Sequence, residues 1–169
     1  MARWKLTRFL AATIVTQTLV CFLAACSQNE GTLDRQSVTI DGQTFHLELA
    51  LEAKAWEQGL SDRRTIDPDG GMLFVFTTSN RRYFVMRRCH IPIDLIYLDT
   101  NGYLVQTHEM TVEPDPMAPD NQLKQYDSRD PVQFAIELPG GCLKRLKLEI
   151  ADRIDLPYDR LKKMAAAAN

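Results

Sequence analysis

Cys89, His90 and Asp94 place a thiol, an imidazole and a carboxylate within one short stretch, the densest reactive chemistry in the chain. A thiol nucleophile needs a base within hydrogen-bond reach. Adjacent residues on a strand point to opposite faces, so Cys89 and His90 do not serve each other there. His108 is the other candidate base, and Asp94 with Glu109 is a candidate carboxylate pair in which one pKa would rise. The chain has no Gly-x-Ser-x-Gly, no His-Glu-x-x-His and no glycine loop to cradle a phosphate. With three histidines and no Cys-x-x-Cys, neither a metal site nor a cofactor is expected.

Arg81, Arg82, Arg87 and Arg88 flank Tyr83-Phe84-Val85-Met86 just before these residues. On a strand, Arg82, Phe84, Met86 and Arg88 share one face, and Arg81, Tyr83, Val85 and Arg87 the other. The guanidinium group is a planar fork suited to carboxylate or phosphate, and aromatic rings suit stacking on sugars. Phe84, Met86, Arg87, Arg88 and Asp94 are therefore the candidate ligand-binding set, for an anionic glycan, a peptide carboxylate or a lipid headgroup. The competing reading is charge protection of a sheet edge, with the arginines paired to Asp94, Asp99, Glu109 or Glu137.

The address is written at the N-terminus. Arg3, Lys5 and Arg8 form a basic region, followed by an apolar run from Phe9 to Ala25 that is short for a bilayer span of about 20 residues. It ends Leu23-Ala24-Ala25-Cys26, which resembles the lipobox of bacterial lipoproteins. Lipidation needs a thiol to carry a thioether-linked diacylglyceryl group, and several acyl chains anchor stably where one does not. Cys26 is thus the expected lipidation site, in the envelope of a bacterium. Ser27 after it, by resemblance to lipoprotein sorting rules, favours an outer membrane if the host has one. Residues 1–25 are read as a signal peptide, 26–35 as a lipidated tether, 36–155 as the domain, and 156–169 as a tail that is helical or frayed. The whole chain holds 20 basic and 22 acidic residues, a net charge of −2, with 45% hydrophobic residues. Those values fit one soluble domain and disfavour a nucleic-acid binder, a multi-pass membrane protein or a disordered chain.

Cys21 leaves with the signal and Cys26 is lipidated, so Cys89 and Cys142 remain, an even number in an oxidising compartment. A bridge between them would close a long loop and contribute on the order of 4 kcal/mol. Two unpaired, separately buried thiols are the alternative.

Elements follow from periodicity and turn chemistry. Val38-Thr39-Ile40, Asp41-Gly42 and Gln43–Leu49 read as a hairpin with Val38 opposite Phe45, so that Val38, Ile40, Phe45, Leu47 and Leu49 share a face. His46 falls on the solvent side. Residues 53–60 suit a short helix, and Met72–Phe76 and Tyr83–Met86 suit buried strands. Leu95–Asp99 and Tyr103–Met110 form a second hairpin around Asn101-Gly102, with Leu95 opposite His108 and Leu98 opposite Val105. The loop 113–130 is proline-rich and acidic. Gln133–Leu138 is a further strand, and a short helix is expected near Leu143–Leu146. This pattern predicts a mainly β domain, a compact antiparallel sandwich or barrel-like fold with one or two short helices.

Several blocks then resemble a prokaryotic family catalogued as domain of unknown function 192. They are Gly59-Leu60, Arg63 and Gly71–Phe76, then Phe84-Val85-Met86-Arg87-Arg88-Cys89-His90-Ile91-Pro92-Ile93-Asp94-Leu95. Tyr126-Asp127-Ser128, Glu137-Leu138-Pro139-Gly140 and Asp152-Arg153-Ile154 follow in order. The resemblance implies an all-β sandwich over roughly residues 36–155 and carries no established activity. Val85 stands where the family usually has Trp, Arg87 where it has Lys, Arg88 where it has Asn, and Cys89 where it has Thr. Cys142 also has no counterpart in the pattern, and two novel cysteines together favour a bridge.

The sequence reading is a lipid-anchored envelope protein with a non-catalytic module for an anionic or carbohydrate ligand. An enzyme using Cys89 and His90 or a carboxylate pair, and a protein–protein interaction module, are the alternatives. The expected partners are the membrane, through the anchor, and that ligand.

Overall fold

The apolar alternation seen in the sequence builds one open six-stranded sheet with chain packed on both faces. The structure, a computed structural model, describes residues 33–169. The expected signal peptide and the expected lipidation site Cys26 lie outside them. Strands β1 (Arg35–Ile40) and β2 (Gln43–Ala50) are followed by helix α1 (Ala53–Gln58), β3 (Gly70–Asn80) and the two-residue β4 (Tyr83–Phe84). Then come β5 (Ile93–Leu98), β6 (Leu104–Met110), β7 (Tyr126–Asp127), β8 (Val132–Pro139) and helix α2 (Tyr158–Ala168). The main sheet runs β1-β2-β3-β8-β5-β6, and β4 pairs with β7 apart from it. The domain is mainly β with two helices, as the sequence predicts.

The β1–β2 hairpin has the expected register, Val38 opposite Phe45 and Ile40 opposite Gln43. Asp41 and Gly42 both take positive φ, 46° and 75°, as a type I′ turn requires. The sheet is not antiparallel throughout. β2 and β3 run parallel, because the chain crosses over through α1 between them. At the start of β3, Gly71 lies at φ 151°, and a Cβ there would collide with the Glu137 carbonyl oxygen of the neighbouring strand.

In the second hairpin Leu95 pairs with His108 as expected, but Leu98 pairs with Leu104 rather than Val105. The turn causes the slip. Asp99 Oδ1 accepts the N–H groups of Asn101 and Tyr103, at 2.8 and 2.9 Å, and Gly102 alone takes positive φ, at 87°. That is a longer, side-chain-braced turn, and it leaves Val105 as an extra residue in β6.

Alternation divides the core in two. Leu73, Val75, Ile96, Leu98, Phe134 and Ile136 project to one face, with the inner side of the β1–β2 hairpin. The C-terminal chain covers that face through Leu146, Ile154, Leu156, Tyr158, Leu161 and Ala165. The tail, read as helical or frayed, is helix α2 and belongs to the core. Met72, Phe74, Phe76, Leu95, Tyr97 and Ala135 project to the other face, under Leu60, Met86 and Tyr126. No regular helix forms at 143–146, where a single turn is closed by Leu146 N–H donating to the Cys142 carbonyl at 3.0 Å.

The sheet also decides the cysteines. Cys89 is buried in the second cluster and Cys142 in the first, so the sheet stands between them. Both are free thiols. The expected bridge is not formed, and the thiols instead fill two separate apolar sites.

Candidate functional site

The second face of the sheet opens into a cavity of about 450 Å³, within the common range for small-ligand sites. Its walls come from α1 and the turn after it, the end of β3, and the segment 82–89; its floor holds Glu137 of β8. Helix α1 starts after Glu52, in extended backbone, and stops at Gly59, whose N–H donates to the Ala55 carbonyl at 2.9 Å. That stop turns Leu60 into the core.

Aromatic rings line the cavity in a fixed arrangement. Trp56 donates its indole N–H to the Ala50 carbonyl at 3.0 Å and lies 5.4 Å from the Phe76 ring. Phe84 meets Phe74 and Tyr97 edge-on, with centroids 4.9 and 5.7 Å away. Tyr97 is itself tied down by its hydroxyl donating to the Tyr126 carbonyl at 2.7 Å.

Glu137 is 5% exposed, and its Oε2 has no hydrogen-bond partner. Burial pushes its carboxyl up to about 8, against the opposing pull of the Leu60 amide and the Arg63 charge. It is therefore mostly the neutral acid at pH 7, a donor and acceptor together. An acid in this place was legible in principle, because Ala135 and Glu137 share the core-facing side of an apolar strand.

The arginines divide by partner. Arg81 pairs with Asp127, holding that carboxyl down to about 2. Arg87 bonds the Glu57 carbonyl at 2.7 Å and pairs with Asp120 at 3.2 Å, so it braces the cavity wall. Arg88 sits at φ 52° outside the lining and pairs with Asp62 at 3.1 Å. Arg82 differs from all three. Its guanidinium stacks on Phe76 at 4.1 Å and donates to the Thr78 carbonyl at 3.0 Å, and it makes no ion pair with a described residue. Its Nε is buried and unpartnered, as are those of Arg87 and Arg88, and desolvation holds its pKa below the usual arginine value.

Of the five predicted binding residues, the structure brings Phe84 and Arg87 to the cavity. Met86 is fully buried core, and Arg88 lies beside the site. Asp94 points to the opposite face, where Oδ2 accepts the Leu143 N–H at 2.7 Å. Sequence reasoning missed Trp56, Phe76 and Glu137 as members of the site, and it weighed Arg82 only as part of the strand. The Cys89 thiol reaches the cavity but donates to the Arg87 carbonyl at 3.5 Å, and burial, with Glu137 next, pushes it up to about 12. His108 is held elsewhere, with Nε2 on the Asp127 carbonyl at 2.9 Å. Among the described residues no cluster of three metal-ligating side chains occurs.

The fold and site thus define an open β sheet carrying a partly aromatic cavity with a buried acid and an arginine that makes no ion pair with a described residue. The chain belongs to the domain of unknown function 192 family, described as "Uncharacterized ACR", whose model matches residues 36–156. A protein of Sinorhizobium meliloti 1021, described as a "putative transcription regulator", is 33% identical with a TM-score of 0.59. That match covers 72% of this chain and 89% of the other. A protein of unknown function from Novosphingobium aromaticivorans DSM 12444 shares the fold at 23% identity and a TM-score of 0.66. Here 76% of this chain and 89% of that one are covered. No curated protein matches.

Proposed function

We propose that this chain is a lipid-anchored, non-catalytic binding module of the bacterial cell envelope whose cavity takes a small anionic or carbohydrate ligand. The observation that carries the binding half is the unpartnered polar content of a cavity lined by aromatic rings, Trp56, Phe76, Tyr83 and Phe84, together with polar side chains such as Gln58 and Ser61. Glu137 Oε2, Arg82 Nε and Arg87 Nε, all of lining residues, are buried without partners. Leaving a buried polar group unsatisfied costs about 1–3 kcal/mol, which a ligand recovers by supplying the missing partner. The thiol argues against nucleophilic catalysis, since a Cys89 pushed up to about 12 holds its proton at pH 7. A regulator acting on nucleic acid, as the name of the Sinorhizobium relative suggests for that protein, finds little support in a net charge of −2. Arg81, Arg87 and Arg88 are moreover engaged by carboxylates.

The anchoring half rests on Leu23-Ala24-Ala25-Cys26. Among the described residues no helix is long and apolar enough to cross a membrane. Two measurements test the reading. Labelled palmitate should enter the wild-type chain and not Cys26→Ala; a wild type without label contradicts anchoring. A thermal-shift screen of the full chain against glycan fragments and anionic headgroups should raise the melting temperature, since binding to the native state stabilises it. A flat response across both classes contradicts binding.

A further inference from the structure

We infer that the cavity selects a ligand carrying both groups at once, a hydroxylated carboxylate of about one sugar ring, with its carboxylate on Arg82 and a hydroxyl on Glu137. This rests on the binding reading above and narrows it to a chemical class. The uronic acids are its simplest members.

Each end of the cavity constrains the ligand separately. A guanidinium only donates, and Arg82 has no described carboxylate to neutralise it, so its complement is an anionic acceptor in a fork geometry. Arg87 Nε in the same wall is also unpartnered, but the Arg87 charge is already met by Asp120 and its guanidinium donates to the Glu57 carbonyl, so Arg82 is the lining arginine without an ion pair among the described residues. At the other end, a hydroxyl both donates and accepts, so it satisfies Glu137 Oε2 in either protonation state. An ammonium group only donates, and it would meet the charge of Arg82 in the same cavity.

The rings set the spacing. Glu137 Oε2 and Phe74 Cζ lie 3.4 and 3.5 Å from where a Cβ on Gly59 would stand, which places the acid beside Phe74. Phe74 and Phe76 are stacked with centroids 6.3 Å apart, and Arg82 lies over Phe76. The acid and the guanidinium thus stand beside successive rings of one stacked pair, whose centroid step is 6.3 Å, with Trp56 tilted against Phe76 as an apolar wall. A pyranose with a carboxylate at one end and hydroxyls at the other spans that step and offers C–H faces to the rings.

Calorimetric titration of the full chain against four probes tests this. The probes are galacturonate, galactose, which lacks the carboxylate, cyclohexanecarboxylate, which lacks the hydroxyls, and galactosamine. Galacturonate should bind about tenfold or more tighter than each of the others, the size of effect one charge-assisted hydrogen bond gives. Arg82→Gln should erase the preference for galacturonate over galactose. Glu137→Leu should erase the preference over cyclohexanecarboxylate, whereas Glu137→Gln, which still donates and accepts, should keep it. Equal binding of galactose or cyclohexanecarboxylate, or tightest binding by galactosamine, would overturn the two-ended class while leaving the binding reading in place. Failure of all four probes overturns the class as well; if the thermal-shift screen is also flat, the binding reading falls with it.

Discussion

Asp94 and Leu143, far apart in the chain, are joined by a 2.7 Å hydrogen bond in which the buried carboxylate oxygen accepts the backbone N–H. The carboxylate also faces the Gly141 and Cys142 amides, and these oppose the burial that pushes its pKa up. Asp94 therefore stands at the opening of the turn that brings the C-terminal chain back over the sheet.

Asp94→Ala should accordingly destabilise the domain by about 1–3 kcal/mol, the cost of leaving buried amides without an acceptor. Ligand affinity should be unchanged, because the cavity lies on the opposite face. Denaturant titration paired with calorimetry checks both; a loss of binding at unchanged stability would return Asp94 to the site.

The free thiols give a second expectation. In the native protein Cys89 and Cys142 should resist alkylation, since both are buried. In denatured, unreduced protein both should react, as mapped on the two peptides by mass spectrometry. A pair that reacts only after reduction would mean the sheet does not separate them.

Glu137 links stability to pH. Its carboxyl is raised from an ordinary 4.5 to about 8 by burial. Between those values the native state holds a proton that the unfolded chain has lost, so stability falls as pH rises, by up to about 1.4 kcal/mol per pH unit. Below about 4.5 both states are protonated and the contribution is flat. The charged or titratable groups set around it, Arg63, Cys89 and Tyr97, keep their charge state across that window. Chemical unfolding from pH 4.5 to 8 should show this decline in wild type and a shallower one in Glu137→Gln. Parallel curves would place the ionisation elsewhere.

Local chemistry carried the sequence reading where neighbours in sequence are neighbours in space. The Val38–Phe45 register follows from Asp41-Gly42 and one apolar face, and the fold class follows from several such strands. The second hairpin slipped by one residue because the Asp99 side chain, rather than Asn101-Gly102 alone, shapes its turn. The parallel pairing of β2 and β3 is set by a crossover, and no residue of either strand announces it. The cysteines misled because their count is even, whereas only the sheet topology shows that they face apart. For the site, alternation over residues 82–88 failed since β4 is only two residues long. Beyond Phe84 the chain turns, which buries Met86 and sends Arg88 away. Glu137 read as one more possible partner for an arginine. Its isolation becomes visible only once Asp62, Asp120 and Asp127 are seen to engage the arginines instead.

The central claim is that Glu137 is the buried floor of a ligand site. The direct measurement is the side-chain carboxyl carbon resonance of Glu137 in glutamate-labelled full chain, assigned through Glu137→Gln and followed as galacturonate is added. The expected result is a saturable shift of that resonance, with the signal of exposed Glu109 on the other side of the domain unmoved. A Glu137 resonance that stays fixed while galacturonate binds would contradict the account.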